Sequence, residues 1–211
     1  MSKVVIVDYQ AGNLFSVLNA CLKIGINAEI TSDKDKLMAA DGIILPGVGA
    51  FGESMSNLQK LDLVSPIKDF VSSGKPFLGV CLGLQLLFEE SEEFGVTKGL
   101  GLVEGIVKKF QSPDKSVKIP QIGWNTIQRP LHANWQQTPL ADIAENSFMY
   151  FVHSFYVEPS TQKDMISETT YEGKKYCSSI QKNNIFATQF HPEKSADLGL
   201  KVYKNWSKEL K

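Results

Sequence analysis

The residues of this chain that could do covalent chemistry centre on Cys81. An apolar run, Phe77-Leu78-Gly79-Val80, stops on the cysteine, and a helix-like pattern of Leu84, Leu86, Leu87 and Phe88, then Glu89 and Glu90, follows at once. Gly79 and Gly83 bracket Cys81 two residues to either side. This is the Gly-x-nucleophile-x-Gly elbow in its cysteine form. A nucleophile on a tight strand-to-helix turn sits on strained backbone, and neighbouring strand and helix approach it closely only where a Cβ is missing. The free N–H groups and positive dipole end of the following helix favour a thiolate over a thiol. The alternative is a buried core cysteine, the commonest state of a lone thiol.

Two further segments supply what a thiolate would need. Ala187-Thr188-Gln189-Phe190 alternates as a strand and runs into His191-Pro192-Glu193. In extended structure His191 and Glu193 project to the same side, and Pro192 stiffens the backbone between them. An imidazole takes a thiol proton, and a carboxylate beside it fixes the tautomer and stabilises the imidazolium. Cys81, His191 and Glu193 thus make a candidate triad; the alternatives are a strand-end surface histidine and a solvated carboxylate. The other segment is Gly42-Ile43-Ile44-Leu45-Pro46-Gly47-Val48-Gly49, a buried strand entering a glycine-rich loop. Gly47, Val48 and Gly49 can aim a backbone N–H at an oxyanion, with the N–H of Leu82 as second donor. A phosphate cradle is the competing reading, but no Gly-Lys-Ser/Thr follows, which argues against a nucleotide loop.

Together these segments resemble the class I (triad) glutamine amidotransferases, and within them the glutaminase subunits of imidazole glycerol phosphate synthase. The resemblance spans nearly the whole chain. It rests on Asp8-Tyr9-Gln10-Ala11-Gly12-Asn13-Leu14, Pro46-Gly47-Val48-Gly49 and Gly79-Val80-Cys81-Leu82-Gly83-Leu84-Gln85 in the first half. In the second half it rests on Gly123-Trp124-Asn125, Tyr150-Phe151-Val152-His153-Ser154 and Gln189-Phe190-His191-Pro192-Glu193-Lys194-Ser195. It implies a single α/β domain over residues 1–211, an open, mixed, mostly parallel sheet flanked by helices, with the elbow at a strand C-terminus. It implies hydrolysis of L-glutamine to glutamate and ammonia through a cysteinyl thioester, with no metal or cofactor. Gln85 and the backbone around His153, Ser154 and Phe155 would hold the glutamine head group, and Glu93 its α-amine, although Glu89, Glu90, Glu92 and Glu93 also read as a solvated helix face. The implied partner is a (β/α)₈-barrel cyclase in a heterodimer, fed with ammonia and activating the glutaminase when it binds its own ligand, as a step of histidine biosynthesis. Trp124 would anchor that interface, with Asn13, Tyr150 and Lys194 as polar members.

Two departures from the family pattern bear on the partner. Gln121-Ile122 stands where the family usually has His-Met, and Gln10-Ala11 occupies the first loop. Gln121 is therefore expected at the interface, as a residue that could redirect the chain to a paralogous pathway such as surface-polysaccharide modification. Readings from other classes are a stand-alone cysteine hydrolase of the flavodoxin-like superfamily and a non-catalytic binding subunit. Gln85 with the His-Pro-Glu segment argues against the first, and three intact triad members against the second.

Composition agrees. A chain of 211 residues is long enough to bury about 70% of its unfolded surface as one domain. Hydrophobic residues at 43% and charged residues at 21% suit a soluble globular protein. A net charge of −1, with no basic run, argues against nucleic-acid binding. Three widely spaced cysteines form neither a disulfide framework nor a zinc pattern, so Cys21 and Cys177 are expected in the core. The absence of a signal sequence or membrane-length apolar stretch fits the reducing cytoplasm.

Along the chain, strands are expected at Val4–Asp8, Asn27–Ser32, Ile43–Leu45 and Phe77–Val80. Helices fall between them at Leu14–Ile24, Asp35–Ala40, Phe51–Leu61 and Leu63–Ser73. That alternation implies a parallel sheet covered on both faces. The second half is strand-rich: Leu102–Phe110, Lys118–Ile119, Asn125–Gln128, Ser147–Val157, Met165–Tyr171, and a hairpin of Tyr176–Gln181 with Ile185–Gln189. A helix over Ala196–Leu210 closes it. The loop after Asp8, the Pro46 loop and Cys81 all fall at carboxyl ends of strands, where open α/β sheets bind ligands.

Overall fold

Strands without polar residues need cover on both faces, and the helices of the first half supply it. The computed structural model describes residues 2–111 and 118–210. Its first half runs β1 (Lys3–Val7), α1 (Leu14–Lys23), β2 (Asn27–Thr31), α2 (Lys34–Ala39), β3 (Gly42–Gly47), α3 (Phe51–Lys60), α4 (Val64–Ser72), β4 (Phe77–Cys81) and α5 (Leu82–Leu86). Strands lie parallel in the order β2-β1-β3-β4. Their alternation divides the core. Val5, Val7, Ile43 and Leu45 pack with Leu37 of α2, Leu58 of α3 and Phe70 of α4. Val4, Ile6 and Ile44 pack on the other face with Val17 and Cys21 of α1 and with Val202 and Trp206 of α6 (Ala196–Trp206). Each such side chain taken from water contributes about 1.5–3 kcal/mol. Helix α4 shows the pattern locally: Ile67 and Phe70 are buried, Ser65, Lys68 and Asp69 face solvent, and Gly74 at φ +78° ends the run.

The second half adds β5 (Phe88–Ser91), β6 (Thr97–Lys98), β7 (Val103–Lys109), β8 (Gln121–Ile127), β9 (Ser147–His153), β10 (Phe155–Pro159), β11 (Met165–Tyr171), β12 (Lys174–Lys182) and β13 (Ile185–Thr188). The sheet continues from β4 as β13-β12-β10-β7-β5-β6, with β11 on β12. The two-residue turn Asn183-Asn184 closes the β12–β13 hairpin, with Asn183 at φ 54°, a conformation asparagine tolerates. This hairpin lays β13 parallel to β4, beside the elbow. β8 and β9 form a separate antiparallel pair.

Before the His191 segment, the structure departs from the sequence pattern in three places. The elbow helix ends at Leu86, and Phe88–Ser91 enters the sheet as β5, parallel to β7. Every residue of α5 is buried, so the helix has no solvent face to continue along, and the glutamates expected on one belong to a strand and its loop. The stretch Ser147–Val157 is two strands broken at Ser154. His153 pairs with Gln121 in the small sheet and Phe155 with Lys109 in the large one, and only a bend satisfies both sets of backbone hydrogen bonds. Lys118–Ile119 is irregular, and β8 begins at Gln121, ahead of the expected Asn125. Among the described residues no helix is long and apolar enough to cross a membrane.

Candidate active site

Cys81 ends β4 at φ 55°, ψ −106°, a strained conformation costing about 1–3 kcal/mol. The flanking glycines make it possible by their lack of bulk. A Cβ on Gly83 would overlap the Leu45 carbonyl oxygen, and one on Gly79 would sit 3.0 Å from the Ala187 Cβ. Gly47, paired with Cys81 across β3 and β4, has no room for a side chain beside the Tyr9 hydroxyl. Tyr9 donates to the Pro46 carbonyl at 2.7 Å and so pins the strand where the glycine loop begins. Cys81, 5% exposed, faces a cavity of about 430 Å³. Val48, Gly49, Leu82, Gln85, Glu93 and the bend Val152–Phe155 line it.

His191 and Glu193 come to Cys81 by a route different from the expected one. β13 ends at Thr188, His191 is extended, and Pro192–Lys194 is a 3₁₀ turn rather than strand. The turn, not strand alternation, swings the carboxylate back: His191 Nδ1 lies 2.7 Å from Glu193 Oε1, with both side chains almost wholly buried. The turn is tied to β9 at Tyr150, whose carbonyl accepts from His191 N at 2.9 Å. Ser195 Oγ donates to the His191 carbonyl at 2.7 Å and accepts from Tyr150 N at 3.0 Å. With Nδ1 engaged by the carboxylate, Nε2 is the free ring atom, buried and without a hydrogen-bond partner. Burial opposes charge on this ring, but the Cys81 sulfur and then Glu193 outweigh it and raise His191 to about 10. Tyr203 of α6 lies against Glu193; burial first, and then that negative charge, push its phenol up, so it stays protonated. In sequence Tyr203 is one more apolar position of an amphipathic helix, and nothing marks it.

Two glutamine amides also link to the sulfur. Gln85 Nε2 donates to the Phe155 carbonyl and to Gln189 Oε1, both at 3.0 Å, and Gln189 Nε2 donates to Cys81 Sγ at 3.6 Å. The Val152 carbonyl lies 3.8 Å from the same sulfur. Gln189 is fully buried. Its signal in sequence was a polar residue in an apolar strand, two residues before His191. Val152 acts through backbone, which no side-chain pattern reports.

His153 is buried with Nδ1 2.7 Å from the Phe155 carbonyl, while Tyr176 Oη lies 3.3 Å from its Nε2 and 2.9 Å from Gln121 Oε1. This corrects the expectation for Gln121. It is 2% exposed and faces inward, because strand alternation puts it on the opposite face of β8 from Ile122 and Trp124. It braces Tyr176 and cannot meet a partner.

Burial pushes His153 down to about 4, with His191 adding repulsion against the Phe155 carbonyl, which favours the proton. Below pH 6.5 the unfolded chain therefore takes up a proton that the folded chain refuses. The stability present above 6.5 is lost as pH falls towards the folded value. At about 1.4 kcal/mol per pH unit from 6.5 to 4, the loss totals about 3 kcal/mol. Chemical denaturation of wild type and His153→Gln across this range checks it: the variant should show a shallower acid slope, and parallel slopes would remove His153 as the cause.

The remaining expected residues surround the mouth. Glu93 lines the cavity, but Oε2 also accepts from Phe51 N at 2.6 Å and so caps α3. Lys194 lines the cavity and sits 5.8 Å above the Tyr150 ring, which meets Trp124 edge-on at 6.1 Å. Trp124 is 53% exposed, and Ile122 and Phe148 beside it are exposed too. This apolar face of β8–β9 continues through Val152 into the cavity wall. Asn13 opens α1, accepting from Ser16 Oγ at 2.9 Å. Among the described residues no group of three or more His, Cys, Asp or Glu could hold a metal ion.

Comparison with known proteins places this architecture. The model of the class-I glutamine amidotransferase family matches residues 5–207. The chain is 48% identical over 204 residues to imidazole glycerol phosphate synthase subunit HisH of Chlorobium chlorochromatii, covering 97% of this chain and 98% of that one. To the protein of the same name from Rhodopirellula baltica it is 44% identical, covering 97% and 96%. Among solved structures, PurLQS from Thermotoga maritima superposes with a TM-score of 0.77 at 19% identity, covering all of both chains, a likeness of fold. The chain belongs to the class-I glutamine amidotransferase family, among its HisH subunits.

Proposed function

We propose that Cys81, His191 and Glu193 hydrolyse L-glutamine and that the ammonia passes to a (β/α)₈-barrel cyclase subunit seated over the cavity mouth. The observation behind the chemistry is the buried His191, with Nδ1 on Glu193, Nε2 free, and its charge favoured by the sulfur of Cys81, which lines the cavity. His191 takes the thiol proton, and Sγ attacks the side-chain carbonyl carbon of glutamine. The N–H groups of Leu82 and of the Val48–Gly49 loop, which share the cavity wall with Cys81, stabilise the oxyanion; one such donor is worth about 10²–10³ in rate. The C–N bond breaks as His191 returns its proton to nitrogen, and ammonia leaves a thioester. Water then attacks that carbonyl, His191 takes its proton, and the thiolate departs from glutamate. Both N–H groups of Gln85 are committed to protein acceptors, so its carbonyl oxygen is what it offers the substrate amide. Glu93 and the backbone of His153, Ser154 and Phe155 complete the glutamine subsite.

Support for the partner comes from the relatives, named as subunits of imidazole glycerol phosphate synthase and matched over 97% of this chain, and from the apolar face that adjoins the cavity. Trp124, Tyr150, Lys194 and Asn13 line that docking surface in our reading. The burial of Gln121 takes that side chain out of the docking surface. Glutamate release, alone and with a histidine-pathway cyclase carrying its ligand, tests the whole reading. Marked stimulation is expected; glutamine turnover indifferent to that cyclase would leave the glutaminase and overturn the partner. Trp124→Ala should weaken the complex by about 2 kcal/mol or more, read by calorimetry, and an unchanged Kd would place the interface elsewhere.

A further inference from the structure

The amides beside Cys81 have only one consistent polarity. The Phe155 carbonyl can only accept, so the Gln85 atom 3.0 Å from it is the nitrogen. That nitrogen also lies 3.0 Å from the Gln189 amide, so the atom it meets there is the oxygen. Gln189 must then turn its own N–H towards Cys81 Sγ, at 3.6 Å. A backbone carbonyl on β10 thus dictates, through two side chains, that the sulfur faces a donor. The cost of reversal is large, because both glutamine side chains are buried and a flipped Gln189 would set N–H against N–H at the Gln85 end and oxygen against the thiolate sulfur at the other.

We infer that Gln189 is a fixed hydrogen-bond donor to the Cys81 thiolate, held in that polarity by the Phe155 carbonyl through Gln85. A donor strengthens when its acceptor becomes an anion. Gln189 therefore favours the attacking form of the sulfur, while the imidazole removes the proton. The Val152 carbonyl, 3.8 Å from Sγ, is the matching acceptor for the protonated thiol, so the site has a partner for each state. The link also joins the nucleophile to the bend at Ser154 that forms the glutamine subsite. This inference rests on the proposed nucleophile, but its test does not depend on glutamine turnover.

The test is alkylation of Cys81 by iodoacetamide in the full chain, located by mass spectrometry. Cys21 and Cys177 are buried away from the cavity and serve as internal controls. Other charged or titratable groups face the sulfur or its cavity: His191 and Glu193 from the turn after β13, Tyr9 after β1, Tyr176 on β12, and Glu93, His153 and Lys194 around the cavity. All are unchanged in Gln189→Met, which keeps volume and removes the donor. At neutral pH its alkylation should fall about tenfold, and the deficit should vanish in alkali, where the thiolate forms without help. Glutamine hydrolysis should lose kcat with KM little changed. Should Gln189→Met fail to fold, Gln85→Met reports the same link, since it frees Gln189 to turn its oxygen to the sulfur; alkylation should again fall. Neutral-pH alkylation equal to wild type in a folded variant overturns the inference, as does a deficit that persists in alkali, which would mark altered access rather than a lost donor.

Discussion

Cys81→Ala is expected to eliminate glutamine hydrolysis, by about 10⁴-fold or more, while the chain stays folded and binds its partner. Removing a nucleophile takes away the step that divides one difficult reaction into two, and what remains is binding and oxyanion stabilisation alone. The fold should tolerate the change. Alanine and cysteine both carry a Cβ, so the strain at φ 55° is the same in each. The hydrogen bonds lost with the sulfur, to Gln189 and Val152, are long, at 3.6 and 3.8 Å. A Tm within about 3 °C of wild type is the corresponding stability result. Glutamate release by a coupled assay and a thermal melt decide the matter together: turnover retained by a folded variant would remove Cys81 as nucleophile. Turnover lost with the fold would say nothing of chemistry, so the melt is part of the test.

Gly83→Ala should do the reverse and act on the fold. A Cβ at this position would overlap the Leu45 carbonyl oxygen of β3, and that atom belongs to backbone paired in the sheet, so it cannot move without breaking the β3–β4 ladder. The expected loss is about 3 kcal/mol or more, at the upper end of overpacking penalties, which lowers Tm by about 6–12 °C for a chain this size. Gly52→Ala is the control. It lies inside α3 with only Thr97 Oγ1 in reach, at 3.6 Å, and should be neutral or stabilising by up to about 1 kcal/mol. Equal stability of the two variants would mean that the elbow relaxes, and the close-approach explanation of the second elbow glycine would fail.

The two glycines separate what local pattern carries from what it does not. The first half of the chain was legible because each element states itself locally. Val4–Val7 and Ile43–Leu45 are unbroken apolar runs, Ile67 and Phe70 recur at helical spacing, and Gly74 stops the helix. The elbow was legible for the same reason, since nucleophile, glycines and strand lie within a few residues. Between Leu86 and Ser91 the reading failed. A helix and a buried strand carry the same apolar residues over so short a span, and the large sheet decided between them by offering β7 as a partner for Phe88–Ser91. The break at Ser154 was hidden likewise, because it arises from pairing with two different sheets.

The sequence by itself determined the triad candidates, the glycines that admit the elbow, the strand-helix alternation that demands a covered parallel sheet, and the family. These rest on residue type and short spacing, which a chain carries whether or not it is folded. Only the tertiary structure decided that a 3₁₀ turn sets Glu193 on His191, that Gln121 faces inward against Tyr176, that Tyr203 stands against the carboxylate, and that Gln189 turns its N–H to the sulfur. The farthest of these partners lie more than one hundred residues apart in sequence, as Gln85 and Gln189 do. The polarity and burial of a side chain belong to its surroundings, and those exist only once the sheet has closed around it.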